Sequence, residues 1–261
     1  MGLTVNTNLN AIGAARNLNH TESMLGMSMQ RLSSGLRINS AADDVAGYAI
    51  SQRLQGQVNG LNQATQNIAD AVSLAQTGQG ALSDVVSMLQ RVRELAVQFA
   101  NGTTSETDKE AIEAEAEQLK EEIKRVGETT TFNGVKLLKG GEEIKFQVGA
   151  NEEETVAVKT IELEKATEKA SVTEIKSIDT ALDEVTKAAG EFGSVQNRIQ
   201  YTQSNLEVYS QNLTSAVSGI VDVNMATEMT NFTKEQVLQQ AGVAILAQAN
   251  HLPEAVLKLL Q

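Results

Sequence analysis

Carboxylates are the commonest groups in this chain with chemistry to offer. The runs "EAIEAEAEQLKEEIKR" (residues 110–125) and "NEEE" (residues 151–154) place acids close together. Paired acids serve as general acid and base, or hold a hard cation. Here Glu117 lies four residues before Glu121, and Glu121 lies three and four residues before Lys124 and Arg125. Those steps put them on one solvated helix face, where Glu121 can pair with Lys124 or Arg125. Asp43 and Asp44 sit together in "LSSGLRINSAADDVAG", Leu32 to Gly47. A calcium loop needs carboxylates at alternating positions about a central glycine, and this stretch lacks that order. The two histidines, His20 and His251, stand far apart, with no HExxH. GxSxG, GxGxxG and the P-loop pattern are absent. "TGQGALSD" (residues 77–84) is rich in glycine but interrupts no helical spacing, so it reads as a close helix contact rather than a phosphate cradle. With no cysteine, thiolate metal sites and thiol nucleophiles are excluded. The residues point to no enzyme, no cofactor and no metal.

Composition narrows the classes further. The 261 residues suffice for one or two domains. A net charge of -12 argues against a nucleic-acid partner and against anionic membranes. Tryptophan is absent, proline occurs once and aromatics make up 3%. Long helices packed by Leu, Ile, Val and Ala tolerate that shortage of bulk. No apolar run approaches the ~20 residues of a membrane span. "MGLTVNTNLNAIGAARN" has no basic start followed by an apolar block, so any export is expected to use a dedicated route.

The elements follow from apolar periodicity. Leu61, Ala64, Ile68, Ala71, Ala75, Gly78, Leu82, Val85, Leu89, Val92, Ala96 and Phe99 alternate steps of three and four. One helix from about Val45 to Ala100 is predicted, ended by Asn101-Gly102 in left-handed conformation. A second helix is predicted with Thr107 and Glu110 as a capping box, the stripe Ile112, Ala116, Leu119, Ile123 and Val126, and Gly127 as its end. Residues 128–163 change to alternating runs around the Asn133-Gly134 turn, a small β-hairpin region. Helical spacing resumes at Ile175 and continues through Ala216, with a weak point at Gly219 and Asp222.

Both ends of the chain carry amphipathic helices. The N-terminal stripe includes Leu18, Leu25, Met29 and Leu32, broken by Glu22. The C-terminal stripe is Leu238, Gly242, Ile245, Ala249, Leu252, Val256 and Leu259, behind a capping box of Thr233 and Gln236. Pro253 should kink or locally open that helix. Neither stripe can be buried by one helix alone in water. The fold class is mainly α: a long antiparallel helical bundle or coiled coil with a small β-hairpin region, its terminal helices paired as a coiled coil. Residues 1–44 with 221–261 are expected to form one domain, and 45–220 another, with the hairpin at about 128–163.

The stretch from Leu32 to Gly47 then reads as a joint. Gly35 falls where a helix C-cap belongs, and Ser40 with Asp43 makes a capping arrangement for the next helix. "QRVRELAVQ" (residues 90–98) carries two arginines and a glutamate beside the apolar stripe. A solvated outer face and a subunit or receptor contact are both compatible with its spacing. Sequons at Asn101, Asn212 and Asn231 arise easily in a chain this rich in Asn and Thr.

Long stretches resemble one family. "LNHTESMLGMSMQRLSSGLRINSAADDVAGYAIS" resembles the N-terminal region of bacterial flagellin, and "QGALSDVVSMLQRVRELAVQFANGT" and "FNGVKLL" continue the match. "QQAGVAILAQANHLPEAVLKLL" resembles the flagellin C-terminus. The resemblance implies a short flagellin without variable outer domains, whose terminal helices form the inner tube of an extracellular filament used for motility. It implies export in an unfolded state, assembly at the filament tip, and self-polymerisation. The polymerisation seam would be Leu18, Leu25, Met29, Leu32, Leu238, Ile245, Leu252, Val256 and Leu259. Partners implied are the export chaperone, on the C-terminal helix, and the filament cap and hook-junction proteins. The resemblance also implies recognition by Toll-like receptor 5 through Gln90, Arg91, Leu95 and Glu115. A hook–filament junction protein is the alternative.

Overall fold

A computed structural model describes residues 7–140, 143–168 and 170–259, with side chains as far as His251. The elements run α1 (Leu9–Ser34), α2 (Val45–Phe99), α3 (Glu106–Thr129), β1 (Thr131–Phe132), β2 (Val135–Lys136), β3 (Glu143–Gln147), β4 (Thr155–Lys159), α4 (Leu163–Thr167), α5 (Ile175–Val221) and α6 (Met225–Leu259). They form two compact units, residues 56–212 and residues 1–55 with 213–261.

The 56–212 unit holds the main core. The predicted stripe of α2 is buried from Leu61 to Ala96, with Phe99 half-buried. Ile112, Ala116 and Ile123 of α3 and Ile178, Ala181, Val185, Ala188 and Phe192 of α5 pack against it. Gly78 lies under Phe192: a Cβ there would come within 2.9 Å of the ring. The predicted close helix contact is therefore at Gly78, whereas Gly80 has open space beside it. Two antiparallel hairpins cover residues 131–159, β1 with β2 and β3 with β4. Asn133 (φ 49) and Gly134 (φ 81) form the tight turn of the first, both in the left-handed region that an Asn-Gly pair tolerates. Val156, Val158, Leu137, Leu138 and Leu163 add to the core.

Helix ends differ from expectation in instructive ways. α2 does stop at Phe99, but Asn101 and Gly102 are not left-handed. Turn bonds end it instead: Asn101 N–H donates to Gln98 O, and the Thr104 hydroxyl donates to the same carbonyl. The capping box of α3 is Ser105 with Asp108, two residues before the expected pair. Gly127 does not end α3; it is buried within it, where a Cβ would meet Leu163 at 3.3 Å. Small size rather than backbone freedom explains that glycine. α6 begins well before Thr233, at an Asn224 side chain that accepts from the Ala226 and Thr227 amides. Thr233 is mid-helix, its hydroxyl bonded back to the Met229 carbonyl.

The 1–55 and 213–261 unit pairs α1 with α6. Contacts run antiparallel: Asn8 meets Ala249, Leu18 lies over Gly242, and Ser28 meets Glu228. Gly35 caps α1 as predicted, left-handed (φ 73) with its N–H on Arg31 O. The stretch that follows is a joint, and it is zipped to the α5–α6 turn. Leu36 bridges Asp222, Arg37 N–H donates to Val221 O at 2.6 Å, and Val223 N–H donates to Gly35 O at 3.0 Å. Asp44, not Ser40, caps α2, accepting from Gly47 N–H at 2.9 Å. Both aspartates precede the first turn rather than lying in it.

Asp43 folds the joint back on itself. Its Oδ2 accepts from the Ser40 amide (2.9 Å), the Ser40 hydroxyl (3.0 Å) and the Asn39 amide (3.1 Å). Those bonds, led by the Ser40 backbone N–H, hold the carboxyl below the usual carboxylate range. A depressed carboxyl stabilises fully above its unfolded value, and that contribution is lost only as pH falls through the lower folded value. Exchange of the Asn39 and Ser40 amides should therefore stay slow down through the usual aspartate range and quicken only below it. Asp43→Asn should remove that step; a step at the ordinary aspartate value would contradict the assignment.

Candidate interaction surfaces

In the terminal pair, α6 turns one stripe to α1 and keeps apolar residues exposed on either side of it. The stripe turned toward α1 is Glu228, Phe232, Glu235, Gln239, Gly242, Leu246 and Ala249, each buried or half-buried. Apolar residues outside that stripe stay exposed: Met225, Met229, Val237, Leu238, Val243 and Ile245 are each about half exposed or more. Leu238 and Ile245 lie beside the pairing stripe rather than in it, at 45% and 60% exposure. Leu252, Val256 and Leu259 lie outside the described side chains.

On α1, too, a pairing face and exposed apolar residues are distinguished. Leu18, Leu25 and Leu32 are half-buried along the pairing face. Met29 is 56% exposed, and Ser28 occupies the inward position. Leu9, Ile12, Met24 and Met27 are also exposed. Ser28 was not anticipated as an inward residue, nor Glu228 opposite it. Its hydroxyl donates to Glu228 Oε1 at 2.6 Å, and both residues are buried. A signal was present in the steps of three and four that run through Thr21, Leu25, Ser28 and Leu32, but it requires accepting polar residues on the seam.

A second surface lies on α2 and α3. Arg91 donates from Nε and Nη2 to Glu115 Oε1 (3.0 and 2.9 Å) and from Nη1 to Glu94 Oε2 (3.0 Å). The Glu115 bond first, then Glu94, raises the arginine further above its ordinary value, so the guanidinium is charged at every working pH. Gln90, Arg91 and Glu115 are exposed together on this face. Leu95 is not: it is 2% exposed and belongs to the core beneath. Leu95 lies three residues after Val92 and next to Ala96, both in the buried α2 stripe, so it widens that stripe into the core. The acidic run of α3 is a solvated, charge-paired face, with partners other than Glu121: Arg125 pairs with Glu122, and Lys124 pairs with Glu164 of α4.

Among the described residues no helix is long and apolar enough to cross a membrane. Nor do three or more His, Asp or Glu side chains gather there as a metal site would require.

Comparison with known proteins accounts for this arrangement. Residues 5–143 match the bacterial flagellin N-terminal helical region, and residues 175–260 match the bacterial flagellin C-terminal helical region. The chain is 44% identical to a flagellin of Halalkalibacterium halodurans over 272 aligned positions, covering 99% of this chain and all of that one. It is 37% identical to a flagellin of Bacillus subtilis and 35% identical to flagellin FlaB1 of Treponema pallidum, each with 99% of this chain and all of the relative covered. The crystal structure of Bacillus cereus flagellin superposes with a TM-score of 0.51 at 33% identity, covering 54% of this chain and 88% of that one. Between the two matched regions, residues 144–174 are taken up by the second hairpin and α4, which leaves no segment for a variable outer domain. The chain belongs to the bacterial flagellin family, as a structural subunit of the flagellar filament and not an enzyme.

Proposed function

We propose that this chain is a main filament subunit that polymerises through the apolar side chains that α1 and α6 leave exposed. The observation that carries the reading is the set of large apolar side chains that α6 keeps exposed beside its pairing stripe. The chain's own partner helix covers the stripe from Glu228 to Ala249 and leaves Met225, Met229, Val237, Leu238, Val243 and Ile245 in water. Exposed apolar surface of that extent on paired helices marks a protein contact. Identical subunits that meet through different surfaces build an open helix rather than a closed ring. In this reading residues 1–44 and 221–261 line the inner tube, and residues 45–220 form the next shell. Leu18, Leu25 and Leu32 hold the pair together, while Met29, Leu238 and Ile245 meet neighbouring subunits. Leu252, Val256 and Leu259 continue the spacing of Leu238 and Ile245 by sequence.

The subunit travels unfolded and is added at the tip beneath the cap. The export chaperone holds the C-terminal segment on the way, since an amphipathic helix lies well in a partner groove. Seeded assembly tests the central claim. Purified full-length chain, seeded with short filament fragments, should sediment and show filaments by negative stain, whereas a chain lacking residues 221–261 should stay soluble and lose chaperone binding. A full-length chain that stays soluble with seeds present would move the hook–filament junction reading ahead.

The exposed Gln90, Arg91 and Glu115 face suits recognition by Toll-like receptor 5, with Leu95 holding the helix from beneath. Arg91→Ala should leave thermal unfolding unchanged, because surface pairs of this kind contribute little to stability. It should cut reporter-cell activation by pure monomer severalfold. An unaltered dose response would remove Arg91 from the contact.

A further inference from the structure

Asn8 uses its one side-chain amide at both ends. Its Oδ1 accepts from the Ala11 amide at 3.1 Å and so caps the first turn of α1. Its Nδ2 donates to the carbonyl of Ala249 at 2.7 Å, across 241 positions of sequence. That carbonyl is a particular one. In a helix it would accept from the N–H four residues on, at position 253, and residue 253 is a proline with no N–H to give. α6 nevertheless continues as helix to Leu259. Ala249 is 5% exposed, so water has little access around that turn. A carbonyl left without a donor in such a place is costly.

We propose that Asn8 is a latch: the amide that starts α1 also completes the hydrogen bonding of α6 where Pro253 interrupts it. The start of the N-terminal helix and the continuation of the C-terminal helix past Ala249 are thereby ordered together. Serine, threonine and aspartate are all good N-caps. None of them combines the cap acceptor with an N–H donor, so the pairing with Pro253 selects asparagine. The latch lies within one subunit and does not depend on how subunits meet.

The test is amide exchange by mass spectrometry on the full chain, read in residues 250–259. Asn8→Asp keeps the cap and turns the donor into a second acceptor; Asn8→Ser keeps the cap but falls short of Ala249. Each should speed exchange in 250–259 by roughly tenfold, the loss of about one net hydrogen bond. Pro253→Ala supplies the missing N–H, and in that background Asn8→Asp should leave 250–259 unaffected. Unchanged exchange in 250–259 after Asn8→Asp would reduce Asn8 to a simple cap and overturn the latch. The same increase with and without Pro253 would overturn it equally, and so would a parent chain with no protection in that segment.

Discussion

Phe192→Ala should weaken the 56–212 unit by about 3–5 kcal/mol in urea unfolding, the usual effect of emptying an aromatic site in a packed core. The ring is 2% exposed and rests on Gly78 in the middle of α2. Glycine within a helix is about 1 kcal/mol less favourable than alanine, so its presence there calls for a reason. The reason is space, because a Cβ would lie 2.9 Å from two ring carbons. Gly78→Val should therefore cost about 1–3 kcal/mol through overpacking. Gly78→Ala sets the propensity gain against the contact, and its sign reports how far the ring can slide. The pair should couple: in a Phe192→Ala background, Gly78→Val should lose most of its penalty, since the space it needs has been vacated. Additive effects would mean that the two residues do not share that space.

The second large effect lies between α1 and α6. Ser28→Ala removes the donor to a buried carboxylate and should destabilise the terminal pair by about 1.5–3 kcal/mol, the range for a hydrogen bond to a charged group. Thermal melting followed by helicity would read it. Replacing both partners behaves differently, because apolar substitutes for a buried polar pair are often neutral or stabilising. Ser28→Ala with Glu228→Leu should recover the loss. The recovered chain should also hold its helices in register less strictly, since a single polar position on an apolar seam commonly fixes alignment. Exchange of the α1 amides would show this as broader protection differences. If Ser28→Ala is silent, or the double variant is worse than the single, the pair has no such role.

Much of this architecture was legible in the residues. The α2 stripe predicted a helix from Val45, and its ends came within a residue. The Asn133-Gly134 turn, the Gly35 cap and the change to strand in the middle of the chain follow from conformational preferences that act locally. The errors have a common physical origin. Where two candidates for one role lie a few residues apart, tertiary packing decides between them. Ser105 displaced Thr107 as a cap, and Asp44 displaced Ser40. The predicted α6 stripe held Leu238, Gly242, Ile245 and Ala249 together, but only Gly242 and Ala249 turn to the partner helix, where small residues permit close approach, and Leu238 and Ile245 stay exposed beside them. Counting apolar residues finds the most hydrophobic face of a helix; it does not tell which face its own chain covers. α4 lay beyond reach because five residues are too few for a period to show.

The joint between α1 and α2 has a consequence for time. Residues 56–212 are continuous in sequence, so that unit is complete as soon as residue 212 has been made. The other unit draws on both ends, and its joint closes only when Val221, Asp222 and Val223 reach Arg37, Leu36 and Gly35. Chains are synthesised from the N-terminus, and contacts this distant in sequence form late. α1 is thus the first helix to be made and among the last to find its partner. Until Val221, Asp222 and Val223 have been made, α1 stays without its partner and open to other binders.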